Sequence, residues 1–246
     1  MSDWLSTREA AELLAVSEAS VRRWSDIGLL PVRRVGKRRE RRFRTEDLER
    51  LSERGKPPRP ESRPAANQVA IAGLALDLYK HLAGFYDSDA GRLRIPLPFL
   101  AEGLRLGQPC FLMADGDVLD AYLAGFRRVS GLDIDAQLAA GRLRIGSGPG
   151  ATVTEALEFW ERELWSVVAE QAPVIRVVGE MASVRQGFAS EAEMFAFEAL
   201  VDQTLKRFPC VALCQYDARK FSGEALLSVL RTHPDIFNLP LGLFVA

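Results

Sequence analysis

Cysteine and histidine are both scarce in this chain, which has three cysteines and two histidines among 246 residues. Three cysteines do not make a disulfide framework, and Cys210 and Cys214 lie in an apolar run without zinc-knuckle spacing. Neither histidine stands beside a nucleophile in a recognisable elbow, so no Ser/His/Asp triad can be assembled, and His233 is interpreted as a loop residue. The sequence therefore predicts a protein that is not an enzyme and holds no metal and no cofactor.

Long hydrophobic runs are also missing. No segment approaches the roughly 18 apolar residues that a membrane-spanning helix needs. The N-terminus, MSDWLSTREA, lacks the basic-then-apolar layout of a secretory signal. These absences predict a cytoplasmic protein with no membrane partner. The length, with 48% hydrophobic and 26% charged residues, suits one small and one medium globular domain.

Positive charge, in contrast, is concentrated in one short segment. Residues 33–44, RRVGKRRERRFR, contain eight Lys or Arg and a single acid, in a chain whose formal net charge is −1. The first 63 residues carry a net charge of +5 and the remainder carries −6. Because such a segment repels itself unless it faces an anion, the pattern predicts that the first part of the chain binds double-stranded DNA.

Short helices are predicted on the N-terminal side of the basic segment. Ser6 followed by Glu9 is a capping box, and the apolar residues behind it give a helix over residues 7–14 one apolar face. After a tight turn, EASVRRW is predicted to form a second helix whose Val21 points back toward the first. Two short helices joined in this way are typical of a helix-turn-helix motif.

The basic segment itself is predicted to be a β-hairpin. Val35 and Gly36 can form its tip, Phe43 can anchor the returning strand, and TEDLERL then adds a short helix. This order of elements predicts a small, α-rich winged helix-turn-helix domain over residues 1–54. Residues 55–67 contain four prolines and almost nothing apolar, so they are interpreted as a linker.

The remainder of the chain, residues 68–246, alternates apolar runs with amphipathic segments. The apolar runs predict strands at residues 110–114, 142–145, 174–179, 210–216 and 242–245. The amphipathic segments predict helices at residues 92–106, 117–130, 152–171, 190–207 and 222–232. Residues 69–86 fit either one helix or a helix that runs into a strand at HLAGFY. The alternation predicts an α/β domain with a mainly parallel sheet covered by helices, in which ligands bind at the carboxyl ends of strands.

The N-terminal pattern resembles a known family. WLSTREAAELLAVSEASVRRWSDIGLLP followed by VGKRRERRFRTEDLERL is similar to the DNA-binding module of MerR-type and excisionase-like regulators. The resemblance implies DNA contacts at Arg8, Ser17, Ser20, Arg22, Arg23, Lys37, Arg38, Arg39 and Arg41. Full-length MerR proteins continue into a long dimerisation helix, whereas a proline-rich linker follows here. A homodimer is expected, but the MerR dimer geometry does not transfer.

The second part of the chain resembles another family. HLAGFYDSDAGRLRIPLPFLAEGLRLGQPCFLMA, RVVGEMASVRQG and CQYD are similar to the MEDS sensory domain of methanogen and methylotroph regulators, over about residues 78–240. The resemblance implies a RecA/KaiC-like fold and a sensor of small C1 or hydrocarbon-like compounds. Members of that family often carry a cysteine two positions after the histidine. Here that position is Ala83, which argues against a sensing mechanism built on a His-Cys pair.

Polar residues in the opening motif and at the predicted strand ends are the candidate ligand contacts, namely His81, Tyr86, Glu180, Gln215 and Tyr216. Each has a structural alternative, because a lone histidine is often a satisfied core residue, tyrosines can bond to backbone in a core, and Glu180 can cap the next helix. A nucleotide hydrolase is not predicted, because CFLMA is followed by DGDVLDAYL, and neither this loop nor GSGPGAT contains the lysine of a phosphate loop.

These patterns together predict a DNA-binding transcriptional regulator whose C-terminal α/β domain senses a small molecule. The alternative is a DNA-tethered adaptor whose α/β domain binds a regulatory protein partner and no metabolite. The two hypotheses differ in one measurable property, since a true small-molecule ligand must stabilise the α/β domain by mass action.

Overall fold

The computed structural model describes residues 4–14, 18, 21, 22, 25, 30–36, 40–48, 68–169 and 172–246. The chain divides into two compact units, Met1–Glu61 and Ser62–Ala246. We call them the first and second units and describe each by itself. Within the described residues, no helix is both long enough and apolar enough to span a membrane.

A three-stranded antiparallel sheet and short helices make up the first unit. The strands β1 (Trp4–Ser6), β2 (Arg33–Val35) and β3 (Glu40–Arg44) lie in the order β1-β3-β2. Helix α1 (Thr7–Leu14) follows β1 directly. Residues 18, 21, 22 and 25 are helical, as expected for the second helix, and so are residues 45–48. Strand β1 was not predicted, because three residues are too few to show an alternating pattern.

The predicted capping box opens α1. The backbone N–H of Ser6 donates to Glu9 Oε2 at 2.8 Å, and the N–H of Glu9 donates to Ser6 Oγ at 3.3 Å. Behind it, six buried side chains form the core of the first unit: Ala10, Ala11, Val21, Leu30, Phe43 and Leu48. Val21 and Phe43 are fully buried, as predicted. The hairpin tip differs from the prediction, since Val35 pairs with Glu40 inside the ladder and the turn begins at Gly36, with φ +72°.

A second hairpin opens the second unit. Strands β4 (Gln68–Ile71) and β5 (Leu74–Asp77) pair antiparallel around a turn at Ala72 and Gly73, both with positive φ. Strand β6 (Lys80–Tyr86) follows. The helix predicted within residues 69–86 is therefore wrong, and only the strand at HLAGFY is correct. Short strands with an alternating face gave a weak signal here, because the apolar spacing of residues 69–78 also fits a helix.

Five parallel strands form the main sheet of the second unit, in the order β6-β10-β9-β7-β8. The other four strands are β7 (Cys110–Met113), β8 (Leu143–Gly146), β9 (Ile175–Glu180) and β10 (Cys210–Asp217). Every residue of β7, β9 and β10 is buried, which explains why these strands are continuous apolar runs in the sequence. The predicted α/β class is confirmed.

The strand predicted at residues 242–245 is wrong. Leu241–Phe244 is a 3-10 helix that follows Pro240, and only Val245 makes a bridge, to Phe85 of β6. The apolar run is present because Phe244 is buried, not because the segment belongs to a ladder.

Helices cover both faces of the sheet. They are α2 (Asp89–Arg94), α3 (Pro96–Arg105), α4 (Gly116–Arg127), α5 (Ile134–Ala139), α6 (Val153–Ala169), α7 (Met181–Gly187), α8 (Glu191–Leu205) and α9 (Gly223–Thr232), followed by a 3-10 helix, Pro234–Asn238. The helix predicted at residues 92–106 divides at Pro96, which cannot continue the hydrogen bonding of α2 and instead starts α3. The short helices α5 and α7 were not predicted.

Alternation along the strands decides which residues meet which helices. Arg176 of β9 contacts Phe99 and Glu102 of α3 on one face. Ala212 of β10 pairs with His81 of β6 on one side and with Val177 of β9, the residue after Arg176, on the other. His81 therefore points to the face of the sheet opposite to Arg176, where α8 lies.

Candidate functional sites

One face of the first unit's hairpin holds arginines over an aromatic ring. The guanidinium groups of Arg33 and Arg44 lie 5.7 and 5.2 Å from the centroid of the Trp4 ring. Arg42 Nη2 lies 3.1 Å from Glu40 Oε2. These contacts offset part of the repulsion between cations in the hairpin, since an exposed cation–π contact contributes about 0.5–1 kcal/mol. The role of Trp4 was not predicted, because its strand was not.

The other face joins the hairpin to the second helix. Arg41 Nη1 donates to the backbone carbonyl oxygen of Arg22 at 3.2 Å. The structure thus brings together two of the predicted DNA contacts. The side chain of Arg22 is 56% exposed and pairs with Glu18 one turn away, and Arg8 on α1 pairs with Glu12 at 3.1 Å. Exposed pairs of this kind contribute roughly 0–1 kcal/mol, so a DNA phosphate can replace the acid.

The remaining predicted DNA contacts cannot be placed. They lie outside the described residues and are Ser17, Ser20, Arg23, Lys37, Arg38 and Arg39.

An apolar cavity lies inside the second unit, between the sheet and helices α6, α7 and α8. Its volume is about 30 Å³, and all of its lining residues are buried. The cavity therefore has room for a small molecule. The lining residues are His81, Met113, Pro149, Trp160, Val177, Gly179, Met181, Val184, Phe197, Glu198, Val201, Leu205, Ala212 and Cys214.

Small residues in the strands create this space. Gly179 lies opposite Cys214 and Met113 in the sheet, and Ala212 lies opposite Val177 and His81. Large side chains at Gly179 and Ala212 would fill the region between the sheet and α8. The ionisable residues of the lining are His81, Glu198 and Cys214, whose side chains lie together, so we call this part of the cavity its polar end.

Four ionisable side chains meet at this polar end, and we call them the histidine cluster: His81, Glu198, Cys214 and His233. Their potential ligand atoms all lie within 4.8 Å of one another, and all four residues are buried. His81 Nε2 lies 3.2 Å from Cys214 Sγ, and His233 Nε2 lies 3.1 Å from Glu198 Oε2. The fold brings these residues together from β6, α8, β10 and the end of α9, which no spacing along the sequence indicates.

His233, interpreted from the sequence as a loop residue, lies between α9 and the following 3-10 helix and is fully buried. The alanine at position 83 does not remove a His-Cys pair, because Cys214 lies directly opposite Ala83 on the neighbouring strand and supplies the sulfur.

Burial dominates the electrostatics of the cluster. It lowers the pKa of His81, and the neighbouring His233 lowers it further. Burial and the Glu198 charge raise the pKa of the Cys214 thiol well above its usual range. Burial alone would raise the pKa of Glu198, but the close contact with His233 and the charges of both histidines lower it below its usual value.

A second polar network lies on the opposite face, at the carboxyl ends of the strands. The hydroxyls of Tyr86 and Tyr122 donate to the two carboxylate oxygens of Glu180, at 2.8 and 2.5 Å. Arg92 Nε donates to the Tyr86 hydroxyl oxygen at 3.2 Å, and Arg92 Nη2 lies 3.8 Å from Asp217 Oδ2. Burial raises the pKa of Glu180 to about 7. Its side chain makes no capping hydrogen bond to α7, so the structural alternative of a helix cap does not apply.

The five candidate ligand contacts therefore separate into different places. His81 lines the cavity, whereas Tyr86 and Glu180 bond to each other in the second network. The Tyr216 hydroxyl donates to Glu198 Oε2 at 2.8 Å, behind the histidine cluster. Gln215 lies against Gly84, and its buried Nε2 makes no hydrogen bond within the described residues.

A small unit with an arginine-rich hairpin, joined to an α/β unit, has the organisation of a transcriptional regulator. Comparison with known proteins agrees with this class. A helix-turn-helix domain family matches residues 4–56, and the MEthanogen/methylotroph, DcmR Sensory domain (MEDS) matches residues 80–234. The chain belongs to the MEDS family of helix-turn-helix transcriptional regulators.

Two individual proteins illustrate the likeness. The transcriptional repressor DcmR of Methylorubrum extorquens (strain DSM 6343 / CIP 106787 / DM4) is 36% identical over 246 residues, which covers 96% of this chain and 92% of DcmR. The crystal structure of the flagellar accessory protein FlaH from Methanocaldococcus jannaschii aligns with a TM-score of 0.44 and 9% identity, covering 68% of this chain and 77% of FlaH.

Proposed function

We propose that the protein is a transcriptional repressor whose second unit binds a small C1 or hydrocarbon-like compound in the buried cavity, and that this binding changes how the first unit holds its DNA operator. The cavity is the observation that carries the proposal. It is apolar, buried and about 30 Å³ in volume, with polar atoms at one end. The likeness to a transcriptional repressor over nearly the whole chain supports the direction of regulation.

The size of the cavity selects the ligand class. A cavity this small favours C1 and C2 compounds over nucleotides and sugars. The walls are mainly aliphatic and aromatic, so an apolar molecule is favoured over a charged one. Met113 and Met181 add side chains that can adjust to slightly different shapes.

The adaptor alternative is supported by a different surface. An open apolar groove of about 310 Å³ lies beside α9 and the chain end, and Leu227 and Val245 on it are 58% and 52% exposed. Exposed apolar grooves often mark protein contacts. Ligand-induced stabilisation distinguishes the two functions, because a protein partner bound to this groove does not require the cavity.

Ligand binding is tested by thermal unfolding of the full-length protein against methanol, formaldehyde and dichloromethane. A ligand at 100 times its Kd adds about 2.7 kcal/mol to stability. For a unit of this size we expect the Tm to rise by roughly 5–10 °C. The variant Ala212→Val places two methyl groups in the cavity and should lose most of this shift, whatever its own Tm.

The matched control is Ala75→Val, an exposed position on β5 far in sequence from the cavity strands, which should keep the full shift. A shift retained by Ala212→Val would place the ligand elsewhere. If no C1 or C2 compound shifts the Tm, the adaptor function is favoured.

DNA binding is tested on the pair that the structure brings together, Arg22 and Arg41. We expect Arg22→Ala to lose about 1–3 kcal/mol of discrimination between operator and random DNA, because a helix arginine can read guanine. We expect Arg41→Ala to weaken binding to both DNAs and to reduce the salt slope by about 0.9, the effect of one phosphate contact.

The measurement is the Kd for both DNAs at several salt concentrations. Arg127→Ala is the control, since this exposed arginine lies on α4 of the second unit, where it pairs with Asp135. Equal losses for all three variants would show a general effect of charge and would contradict the assignment of Arg22 to base recognition.

We further propose that the protein binds its operator as a homodimer. A single helix-turn-helix unit contacts only one half-site, and repressors of this kind gain specificity by pairing two half-sites about one helical turn apart. Selection of operators from random DNA should yield a symmetric sequence, and the mass of the complex in solution should correspond to two chains. An asymmetric single half-site with one chain would contradict it.

A further inference from the structure

We propose that the histidine cluster, His81, Glu198, Cys214 and His233, is a binding site for a divalent transition metal of the zinc class. This goes beyond the sensor function, and it stands or falls independently of the identity of the effector. The four side chains offer two imidazole nitrogens, one sulfur and one carboxylate oxygen, all buried and all within 4.8 Å of one another.

Several distances inside the cluster are close to those around a tetrahedral ion, and all ligand atoms lie within 4.8 Å of one another. Ligand atoms about 2.0–2.3 Å from such an ion lie roughly 3.3–3.8 Å from one another. His81 Nε2 is 3.2 Å from Cys214 Sγ and 3.8 Å from Glu198 Oε2, and Glu198 Oε1 is 3.8 Å from Cys214 Sγ. Only small side-chain movements are therefore needed to place all four atoms around one ion.

A backbone carbonyl orients the His233 imidazole as a metal requires, and a carboxylate lies behind His81. His233 Nδ1 lies 2.8 Å from the carbonyl oxygen of Val229, which fixes the proton on Nδ1 and leaves the Nε2 lone pair directed into the cluster. His81 Nδ1 faces Asp202 Oδ1 at 3.7 Å, and Lys206 holds that carboxylate at 3.0 Å. A histidine ligand backed by a carbonyl or a carboxylate is the usual second layer of a metal site.

Hydrogen bonding within the described residues leaves one imidazole nitrogen inside the cluster, His233 Nε2, without a well-formed partner. His233 Nε2 is buried and makes no well-formed hydrogen bond, although Glu198 Oε2 lies only 3.1 Å away. A buried polar atom without a partner is costly and rare in native proteins. An ion at the centre of the cluster would complete its coordination and would also neutralise the buried Glu198.

The donor set indicates the kind of ion. Imidazole nitrogen with thiolate sulfur favours Zn²⁺ and related first-row ions over Mg²⁺ and Ca²⁺, which prefer oxygen. The Tyr216 hydroxyl occupies one lone pair of Glu198 Oε2 and orients this carboxylate. His81, Glu198 and Cys214 also line the cavity, so the ion would lie at its polar end.

The experiment is a titration of the full-length protein, stripped of metal by a chelator, with Co²⁺ and then Zn²⁺, in the absence of DNA and effector. We expect one Co²⁺ per chain, with the strong visible absorption of a tetrahedral ion and a thiolate-to-cobalt band in the near ultraviolet. Zn²⁺ should abolish both signals by displacement. Absence of stoichiometric Co²⁺ and Zn²⁺ binding by the wild-type protein overturns the proposal without any variant.

Two cysteines on the same strand give a matched pair of variants. Cys214→Ser should lose the thiolate-to-cobalt band and bind Zn²⁺ at least tenfold more weakly. Cys210→Ser should behave as wild type, because Cys210 Sγ is engaged with the Leu205 carbonyl oxygen at 3.3 Å and lies outside the cluster. A band that survives in Cys214→Ser, or disappears in Cys210→Ser, overturns the assignment. Because the readouts are metal stoichiometry and absorption, the result is separate from that of the effector experiment.

Discussion

Replacing Arg176 with alanine is expected to lower the free energy of unfolding of the second unit by about 2–5 kcal/mol, the usual cost of removing a large buried side chain and leaving its hydrogen-bond partners unpaired. Arg176 is 1% exposed and is the second residue of β9. Its Nη1 lies 2.8 Å from Glu102 Oε2 and donates to the Phe99 carbonyl oxygen at 2.6 Å, while Nε donates to Gln108 Oε1 at 2.8 Å. Alanine would leave all three acceptors without this donor.

Packing around Arg176 adds to the effect. The guanidinium lies 4.9 Å from the Phe99 ring centroid, and its stem passes so close to Gly103 that a Cβ there would lie 2.6 Å from Arg176 Cδ. The side chain thus connects β9 to α3 by charge, hydrogen bonds and contact area. Alanine would remove all of these contacts at once and leave a cavity.

The measurement is urea unfolding of the full-length protein, with tryptophan fluorescence reporting the second unit through Trp160 and Trp165 of α6. The double variant Arg176→Met with Glu102→Met is the informative control, because it removes the pair and keeps the volume. It should be more stable than Arg176→Ala by at least 1 kcal/mol, since no buried charge is left unpaired. Equal stability of the two variants would show that Arg176 acts through packing alone.

The second large effect is a pH dependence that originates at Glu180. The pKa of this buried carboxyl is raised from 4.5 to about 7. A carboxyl whose pKa is higher in the folded state binds more protons there, so its stabilising contribution is present below about pH 4.5 and is lost as the pH rises through about 7. At about 1.4 kcal/mol per pKa unit, the loss between pH 5 and pH 8 is about 3 kcal/mol.

Glu180→Gln isolates this effect, because the amide keeps the shape and cannot ionise. The free energy of unfolding of the variant minus that of the wild type should increase by about 3 kcal/mol from pH 5 to pH 8. The comparison uses the difference between variant and wild type because the lowered pKa of His81 changes the stability of both proteins in the opposite direction over part of this range. This contribution cancels in the difference. Urea unfolding at half-unit pH steps gives both curves, and a constant difference would contradict a raised pKa at Glu180.

The elements predicted correctly are those whose structure can be read from the local sequence. Strands β7, β9 and β10 are buried on both faces, so their sequences are uninterrupted apolar runs that end within one residue or so of the predicted limits. The capping box before α1 was also predictable, because two side chains three residues apart determine it. Local chemistry is sufficient for such features.

The elements that failed depend on distant packing. Residues 241–244 are apolar because Phe244 is buried in the core, and burial alone does not distinguish a strand from a 3-10 helix. Residues 68–77 have spacing that suits either a helix or a hairpin, and the turn at Ala72 and Gly73 decides between them.

The candidate sites show the same division. His81 was selected from its motif, but its partners His233 and Glu198 come from segments far along the chain, and spacing within a motif does not reveal them. The cavity is set by small residues, Gly179 and Ala212, that carry no chemical signal of their own. The sequence indicated candidate polar residues such as His81. The packing of the strands against α8 determines which other side chains lie beside them.

The position of β6 at the edge of the sheet has a consequence for the order of folding. Its ladder partner in the sheet is β10, about 130 residues later in the chain. Closing so long a loop costs entropy before any contact repays it, so we expect β7, β8 and β9 to associate first and β6 to join after β10 has formed. His81 lies on β6 and Cys214 on β10, so the histidine cluster would be completed in the last step of folding. An ion bound to the cluster would then stabilise the pairing of β6 with β10.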